Sequence, residues 1–210
     1  SIGAVNNGDN ILIHLSSTYE TGLKGTFLVA HQRGKIVFQK FEKNINSKYS
    51  INLETNQFSD GVLHVTLFDS FGNPVSERLL FVQNPENKIN LNIEKNNKVL
   101  STRQKLTLNL NVFDYQGIQT SGDFSMAVRD AKASTHNNGV KNIKTWLLLN
   151  SDVRGRIDNP GYYFESGDGM KKRFLLDLVM LTNAWRRFTW NKLLHEPQTG
   201  KKFDTELGIF

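Results

Sequence analysis

The chain of 210 residues contains no cysteine. This absence excludes disulfide bonds, thiolate metal sites, cysteine nucleophiles and thioester chemistry, although it leaves the cellular compartment open. No apolar run approaches the roughly 20 residues that a membrane-spanning helix needs. The longest one, at 174–181, is interrupted by Asp177. We therefore expect no membrane-spanning segment. The chain begins at Ser1 without a basic-then-apolar leader, and we expect a mature chain or an excised piece of a longer protein.

The sequence also lacks the usual motifs of catalysis. None of the five histidines has HxH, HxxxH or HExxH spacing, and no GxSxG or SxxK nucleophile motif occurs. Gly167, Asp168 and Gly169 precede a predicted helix but lack the third glycine of a dinucleotide-binding loop. His14 and His64 lie in predicted strands, which favours structural roles. We expect no catalytic residue, no metal site and no cofactor, and therefore no enzyme; a hydrolase is the least favoured function.

Apolar residues make up 38 % of the chain, which is enough for a hydrophobic core. In the first part of the chain they alternate with polar residues, and turn signals interrupt them every 8–14 residues. Short strands without helical periods between them predict an antiparallel β-sandwich. The predicted strands are 11–15, 26–30, 35–39, 49–53, 62–68 and 78–82.

A polar stretch at 83–87, with one of only four prolines, is the best domain boundary. Strand patterns resume at 89–93, 106–113 and 124–128. The predicted fold class is mainly β, with two immunoglobulin-like antiparallel β-sandwiches at 1–84 and 88–168 and a C-terminal helical segment. The second sandwich is predicted to carry a short helical insertion near 143–151.

The C-terminal part changes to a helical pattern. Apolar residues at helical spacing predict a helix at 171–196, packed on the second domain. Aromatic residues 162–164 are predicted to be extended. Residues 197–210 are predicted to be a linker into a following module.

A short internal sequence repeat has one copy on each side of the predicted domain boundary at 83–87. Asp69 and Gly72 follow one strand, and Asp114 and Gly117 follow another 45 residues later. Such aspartates could be calcium ligands or could form the turns, since an aspartate side chain accepts backbone hydrogen bonds and glycine supplies a left-handed conformation. Neither loop clusters acids as a hard-cation site requires. The turn interpretation is therefore favoured.

The positive charge is concentrated near the C-terminus. Residues 1–87 carry 7 basic and 8 acidic side chains, whereas 88–210 carry 19 and 12. A basic segment can attract nucleic acid, anionic lipid or an acidic protein, or it can be a solvated helix face. Arg186 and Arg187 lie among aromatic residues, as in single-strand binding. Trp185 and Phe188 have core spacing, however, so no nucleic acid partner is expected.

Several blocks resemble one family of proteins. They are GVLHVTLFD (61–69), PVSERLLFV (74–82), LLLNSDVRG (147–155), NPGYYF (159–164) and LDLVMLTNAWRR (176–187). These look like large envelope proteins of Bacteroidetes with macroglobulin-type (MG2-like) immunoglobulin-like domains, linked to carboxypeptidase-regulatory-like and TonB-dependent receptor plug modules. The resemblance implies a periplasmic or outer-membrane-associated multidomain protein. It does not imply protease trapping, because the thioester motif needs cysteine.

The predicted function is that of a non-catalytic structural or interaction module, linked to TonB-dependent uptake through the resemblance. Its expected partners are other modules of the same polypeptide and envelope proteins. The alternative is a binding module for an extended glycan or peptide, with Tyr162, Tyr163 and Trp190 as contact residues. Arg186 and Arg187 complete the candidate interaction surface.

Overall fold

The computed structural model describes residues 1–96, 101–128, 142–153, 155–183, 190 and 194. These residues form mainly antiparallel β-sheets with a short C-terminal helical part, which confirms the predicted mainly-β class. The predicted linker at 197–210, and the predicted helix beyond Asn183 except for positions 190 and 194, lie outside the described residues.

Two sheets form a β-sandwich-like unit in the first part of the chain. One has the order β1-β2-β5 and the other the order β4-β3-β6-β7. The strands are β1 (Ile2–Asn6), β2 (Asn10–Ser16), β3 (Phe27–Gln32), β4 (Lys35–Phe41), β5 (Lys48–Glu54), β6 (Gly61–Phe68) and β7 (Pro74–Val82).

The alternation of apolar residues explains this unit. In β2 the side chains of Ile11, Ile13 and Leu15 are fully buried, because successive strand residues point to opposite faces. They pack in one cluster with Leu63 and Val65 of the opposite sheet. Burying each such side chain stabilises the fold by about 1.5–3 kcal/mol.

The four-stranded sheet is also covered on its outer face. Val62, Leu79 and Phe81 of β6 and β7 belong to a second buried cluster with Leu176 and Met180. The last two lie on helix α2 (Gly169–Thr182). The helix that was predicted to pack on the second domain therefore contacts strands of the first domain, and the same cluster includes Leu149, Val153 and Ile157 of the predicted second domain. Since β6 and β7 carry apolar residues on both faces, this sheet needs a cover, and α2 is part of it.

A helical connection leads to this cover. It comprises α1 (Ile143–Thr145), a π-helical turn (Trp146–Asn150) and a 3-10 helix (Pro160–Phe164). The predicted helical insertion near 143–151 agrees with the first two. The predicted extended conformation of 162–164 is wrong, because Pro160 begins a helical turn instead. No helix in the described part of the chain is long and apolar enough to cross a membrane.

The predicted second sandwich at 88–168 is described in part. Its described residues contain one antiparallel pair of strands, β8 (Asn90–Lys95) and β9 (Leu108–Phe113). The predicted strand at 124–128 is described but is not a strand. Alternating apolar residues at 124–128 are not sufficient to form a strand, because a strand also needs a neighbouring strand to complete its backbone hydrogen bonds.

The two aspartate turns match each other closely. The Asp69 carboxylate accepts hydrogen bonds from the backbone N–H groups of Phe71 and Asn73, at 2.9 and 2.8 Å. The Asp114 carboxylate accepts the equivalent pair from Gln116 and Ile118, both at 2.9 Å. The closing glycines, Gly72 and Gly117, have φ of 83° and 82°. The turn interpretation of both aspartates is confirmed.

Candidate functional site

A pair of stacked histidines lies on the outer face of the four-stranded sheet. His31 of β3 and His64 of β6 are register partners, so their side chains project from the same side. Their rings are 4.6 Å apart between centroids and nearly parallel, at 11°. His31 is only 4 % exposed. Two imidazoles in this arrangement are favourable when both are neutral, because two positive charges at this distance repel each other.

A carboxylate and a hydroxyl complete the cluster. Glu77 of β7 is the register partner of Thr66, which follows two residues after His64 on the same face of β6. Its Oε1 lies 3.8 Å from Nδ1 of His64, too far for a hydrogen bond but within the range of an ionic contact. Sequence analysis did not identify this cluster, because only the strand register brings these residues together.

Trp190 covers one end of the cluster. Its indole Nε1–H donates to Oγ1 of the buried Thr66 at 3.0 Å. The indole is perpendicular to the rings of His31 and Phe68, at centroid distances of 5.7 and 5.0 Å. Such edge-to-face contacts stabilise by about 0.5–1.5 kcal/mol beyond burial. Trp190 thus anchors the chain, 124 residues after Thr66, to the sandwich.

The cluster has a distinct electrostatic character. Burial and, to a lesser extent, the neighbouring His64 lower the pKa of His31 to about 4, although Glu77 acts in the opposite direction. His31 is therefore neutral at pH 7. The Thr66 hydroxyl, on the same face of the sheet, accepts the indole hydrogen bond. No group of three or more metal-ligating side chains occurs in the described part of the chain.

The predicted aromatic contact residues occupy two separate places. Tyr162 and Tyr163 contact each other at a centroid distance of 5.6 Å, and the Lys172 ammonium lies 5.0 Å from the Tyr162 ring. Tyr163 packs against the cluster that contains Val62, and burial raises its pKa. Val62 and Thr66 are four residues apart on β6, about 13 Å.

Trp190 therefore does not extend the tyrosine pair into one continuous stacking surface. All three rings are half-buried. The predicted contact residues Arg186 and Arg187 lie outside the described residues.

A further surface lies on the β8–β9 hairpin. Leu91 and Ile93 pair with Val112 and Leu110, and facing partners in an antiparallel pair share one side of the sheet. Leu91, Ile93 and Leu110 are 45 %, 55 % and 43 % exposed. We call these four residues the hairpin face. The other side carries the pairs Asn90–Phe113, Asn92–Asn111 and Glu94–Asn109.

Comparison of the chain with protein-family models, with curated proteins and with solved structures found no match.

Proposed function

We propose that the chain is a non-catalytic structural and interaction module of a larger envelope protein, and that its hairpin face docks on a neighbouring module of the same polypeptide. The observation that carries this proposal is the exposed hairpin face. Leu91, Ile93 and Leu110 lie side by side on a regular two-stranded sheet and remain open to solvent.

The physical argument begins with the stability of the hairpin. A two-stranded sheet is marginally stable in water, and it needs further strands or a packing partner. The first sandwich already covers its own outer face with α2. Val112 of the hairpin face is buried, but the other three residues have no such cover among the described residues, although the alternation is as regular as that of β2.

The nature of the expected partner follows from this geometry. An apolar face with mainly polar residues on the reverse side fits one face of a β-sheet, as in the core of a sandwich. A partner on the same polypeptide is present at a high effective concentration, so a modest apolar area suffices for stable docking. The proposed occupant is therefore a β-sheet of an adjoining module.

The wider setting rests on the resemblance described above. We propose an immunoglobulin-like, macroglobulin-type module in the periplasm or at the outer membrane, acting as a spacer and docking element in TonB-dependent uptake. The histidine cluster supports a non-catalytic role, because its side chains are buried and engaged with one another and with Trp190.

Site-specific photo-crosslinking tests the proposal. A photoreactive phenylalanine analogue replaces Ile93 in the complete polypeptide, expressed in its own cells, and crosslinked peptides are identified by mass spectrometry. We expect crosslinks to a β-rich segment of the same polypeptide outside the present 210 residues.

The matched control places the same analogue at Asn92, the adjacent position on the opposite side of β8. Equal crosslinking from both positions, no crosslink from position 93, or crosslinks confined to the present chain would each overturn the proposal.

A further inference from the structure

Three loops at one end of the first sandwich each expose a large apolar side chain. Tyr19, Ile45 and Phe71 are 80 %, 67 % and 88 % exposed. A single exposed apolar residue is ordinary, but one on each of three adjoining loops indicates an interaction surface. We call this end of the sandwich the loop end. Its loops connect β2 to β3 (17–26), β4 to β5 (42–47) and β6 to β7 (69–73).

Backbone hydrogen bonds and close packing join the three loops. The N–H of Leu23 donates to the carbonyl of Asn46 at 2.8 Å, and the N–H of Gly25 donates to the carbonyl of Glu42 at 2.8 Å. Gly25 also lies against the third loop, since a Cβ at this position would be 3.0 Å from the Cβ of Ser70. The first loop therefore contacts both of the others, and the loop end is one surface.

Local interactions fix the shape of the loops. Leu23 is buried and anchors the first loop in the core of the sandwich. The Glu42 carboxylate accepts the N–H of Asn44 at 2.8 Å, and the Asp69 carboxylate accepts that of Phe71 at 2.9 Å. Because the sandwich itself shapes these loops, a partner does not have to order them on binding, and the cost of association is lower.

The opposite end of the sandwich has a different surface. Its loops are 7–9, 33–34 and 55–60, all of which are described. They contain one large apolar residue, Phe58, which is buried. This end also contacts helix α2, because the guanidinium of Arg173 donates to the carbonyl of Asn7 at 2.7 Å. The exposed apolar residues of the sandwich loops thus lie at the end away from this contact.

We propose that the loop end docks on the module that precedes this chain in the larger polypeptide. The inference rests on the proposed function, in which the chain is one module among several. Ser1 lies at the loop end, where its carbonyl accepts the N–H of Ser16 at 3.1 Å. Ser16 is the last residue before the first loop. In the larger polypeptide, the residues N-terminal to Ser1 therefore leave the sandwich beside the three exposed side chains.

The charges of the loop end favour a protein surface over a phosphate-rich one. The three loops contain two basic and three acidic side chains. Anionic lipid and nucleic acid are attracted by an excess of basic residues, which these loops do not have. A module tethered at Ser1 is present at a high effective concentration, so a contact of three apolar side chains can hold it.

Site-specific photo-crosslinking in the complete polypeptide tests this docking. A photoreactive phenylalanine analogue replaces Phe71, whose shape it resembles, and mass spectrometry identifies the crosslinked peptides. We expect crosslinks to residues N-terminal to Ser1. The matched control places the analogue at Gln57, which is exposed at the opposite end, and it should give no crosslink to that segment.

Substitution of the exposed side chains is the second test. With the analogue at Tyr19, the double substitution Ile45→Ser and Phe71→Ser should lower the yield of crosslinks to the preceding segment by at least about fivefold, because it removes most of the apolar contact. Ile36→Ser, on β4 near the opposite end, is the control and should not change the yield. All these side chains are exposed, so neither variant should shift the urea midpoint of the 210-residue chain.

The remaining outcomes overturn the proposal. They are no crosslink from position 71, crosslinks only to this chain, to a second copy or to segments C-terminal to it, equal yields from positions 57 and 71, and an unchanged yield in the double variant. Crosslinks from Ile93 to another module, with none from position 71, would remove only the docking of the loop end. If neither position crosslinks outside the 210 residues, the proposed function fails as well.

Discussion

Arg78 and Asp177, which are 99 residues apart, form an ion pair between strand β7 and helix α2. The Nη2 of Arg78 donates to both carboxylate oxygens of Asp177, at 2.6 and 2.7 Å, and its Nη1 donates to the carbonyl of Leu79 at 2.8 Å. The Arg78 side chain is 9 % exposed and that of Asp177 is 32 % exposed. This pair fixes the helix against the edge of the first sandwich.

Breaking the pair should destabilise the fold. Asp177→Asn keeps the shape of the side chain but leaves the largely buried guanidinium without a carboxylate. A fully buried pair would cost about 3–5 kcal/mol, and the partial exposure of Asp177 reduces our expectation to about 2 kcal/mol. Urea denaturation measures this loss.

The chain offers a matched control for that experiment. Arg156 and Asp158 form a pair of 2.8 Å with side chains 89 % and 82 % exposed. Asp158→Asn should change the free energy of unfolding by less than about 0.5 kcal/mol. Equal losses at the two sites would show that α2 is not fixed by Asp177.

The packing of helix α2 leads to a second prediction. Met180 is fully buried in the cluster with Val62 and Phe81, whereas Met170 on the same helix is 82 % exposed. Met180→Ala should cost about 2–5 kcal/mol, because it leaves a cavity in the cluster. Met170→Ala should cost less than about 0.5 kcal/mol. Thermal unfolding of both variants measures the difference, and similar losses would contradict the packing described here.

Removing either of two buried hydroxyl groups should not lower the stability of the fold. The Tyr49 hydroxyl and Oγ1 of Thr55 have no hydrogen-bond partner among the described residues. Burial, together with the nearby Glu42 carboxylate, raises the pKa of Tyr49 to about 12, so the phenol is neutral at ordinary pH. Tyr49→Phe and Thr55→Val should be neutral or should stabilise by up to about 1 kcal/mol, because each removes an unsatisfied polar atom.

Thr66→Val is the comparison for these two variants. Its hydroxyl accepts the hydrogen bond from Trp190, and its loss should destabilise by about 1 kcal/mol. Denaturant midpoints of all three variants check the order. A larger loss for Thr55→Val than for Thr66→Val would show that the Thr55 hydroxyl has a partner.

The free energy of unfolding should decrease in acid, because His31 takes up a proton more readily in the unfolded state. The pKa of His31 is lowered from 6.5 to about 4 in the folded state, so the unfolded state binds more protons between these values. The contribution is fully present above pH 6.5 and is lost as the pH falls toward 4, by up to about 3 kcal/mol. The difference between wild type and His31→Phe, measured by denaturation at each pH, isolates it. A difference that does not change with pH would contradict the buried, neutral state of His31.

Much of the first sandwich could be predicted from local patterns. The alternation at 11–15 and 62–68 predicted β2 and β6, and the Asp-to-Gly spacing predicted both turns. Strand β1 (Ile2–Asn6) was missed, because Gly3 and Ala4 give it a weak pattern and its stability comes from pairing with β2. Local signals identify elements that carry their own apolar face.

The candidate sites depended on long-range pairing and could not be predicted in the same way. His31 and His64 stack because β3 and β6 pair in one register, which sequence spacing does not reveal. Helix α2 buries apolar residues on the outer faces of β6 and β7. The sequence shows that these residues are apolar, but not which segment packs on them. The strand pattern at 106–113 predicted β9 but not how many strands would join it.

Hydrogen exchange of the β8–β9 amides tests the proposed docking most directly. It compares the 210-residue chain alone with the complete polypeptide, and the β2–β5 amides serve as the internal reference. The docking proposal predicts that the hairpin amides exchange at least about 100-fold more slowly in the complete polypeptide, while the reference amides are unchanged. Equal exchange of the hairpin amides in both samples would contradict it.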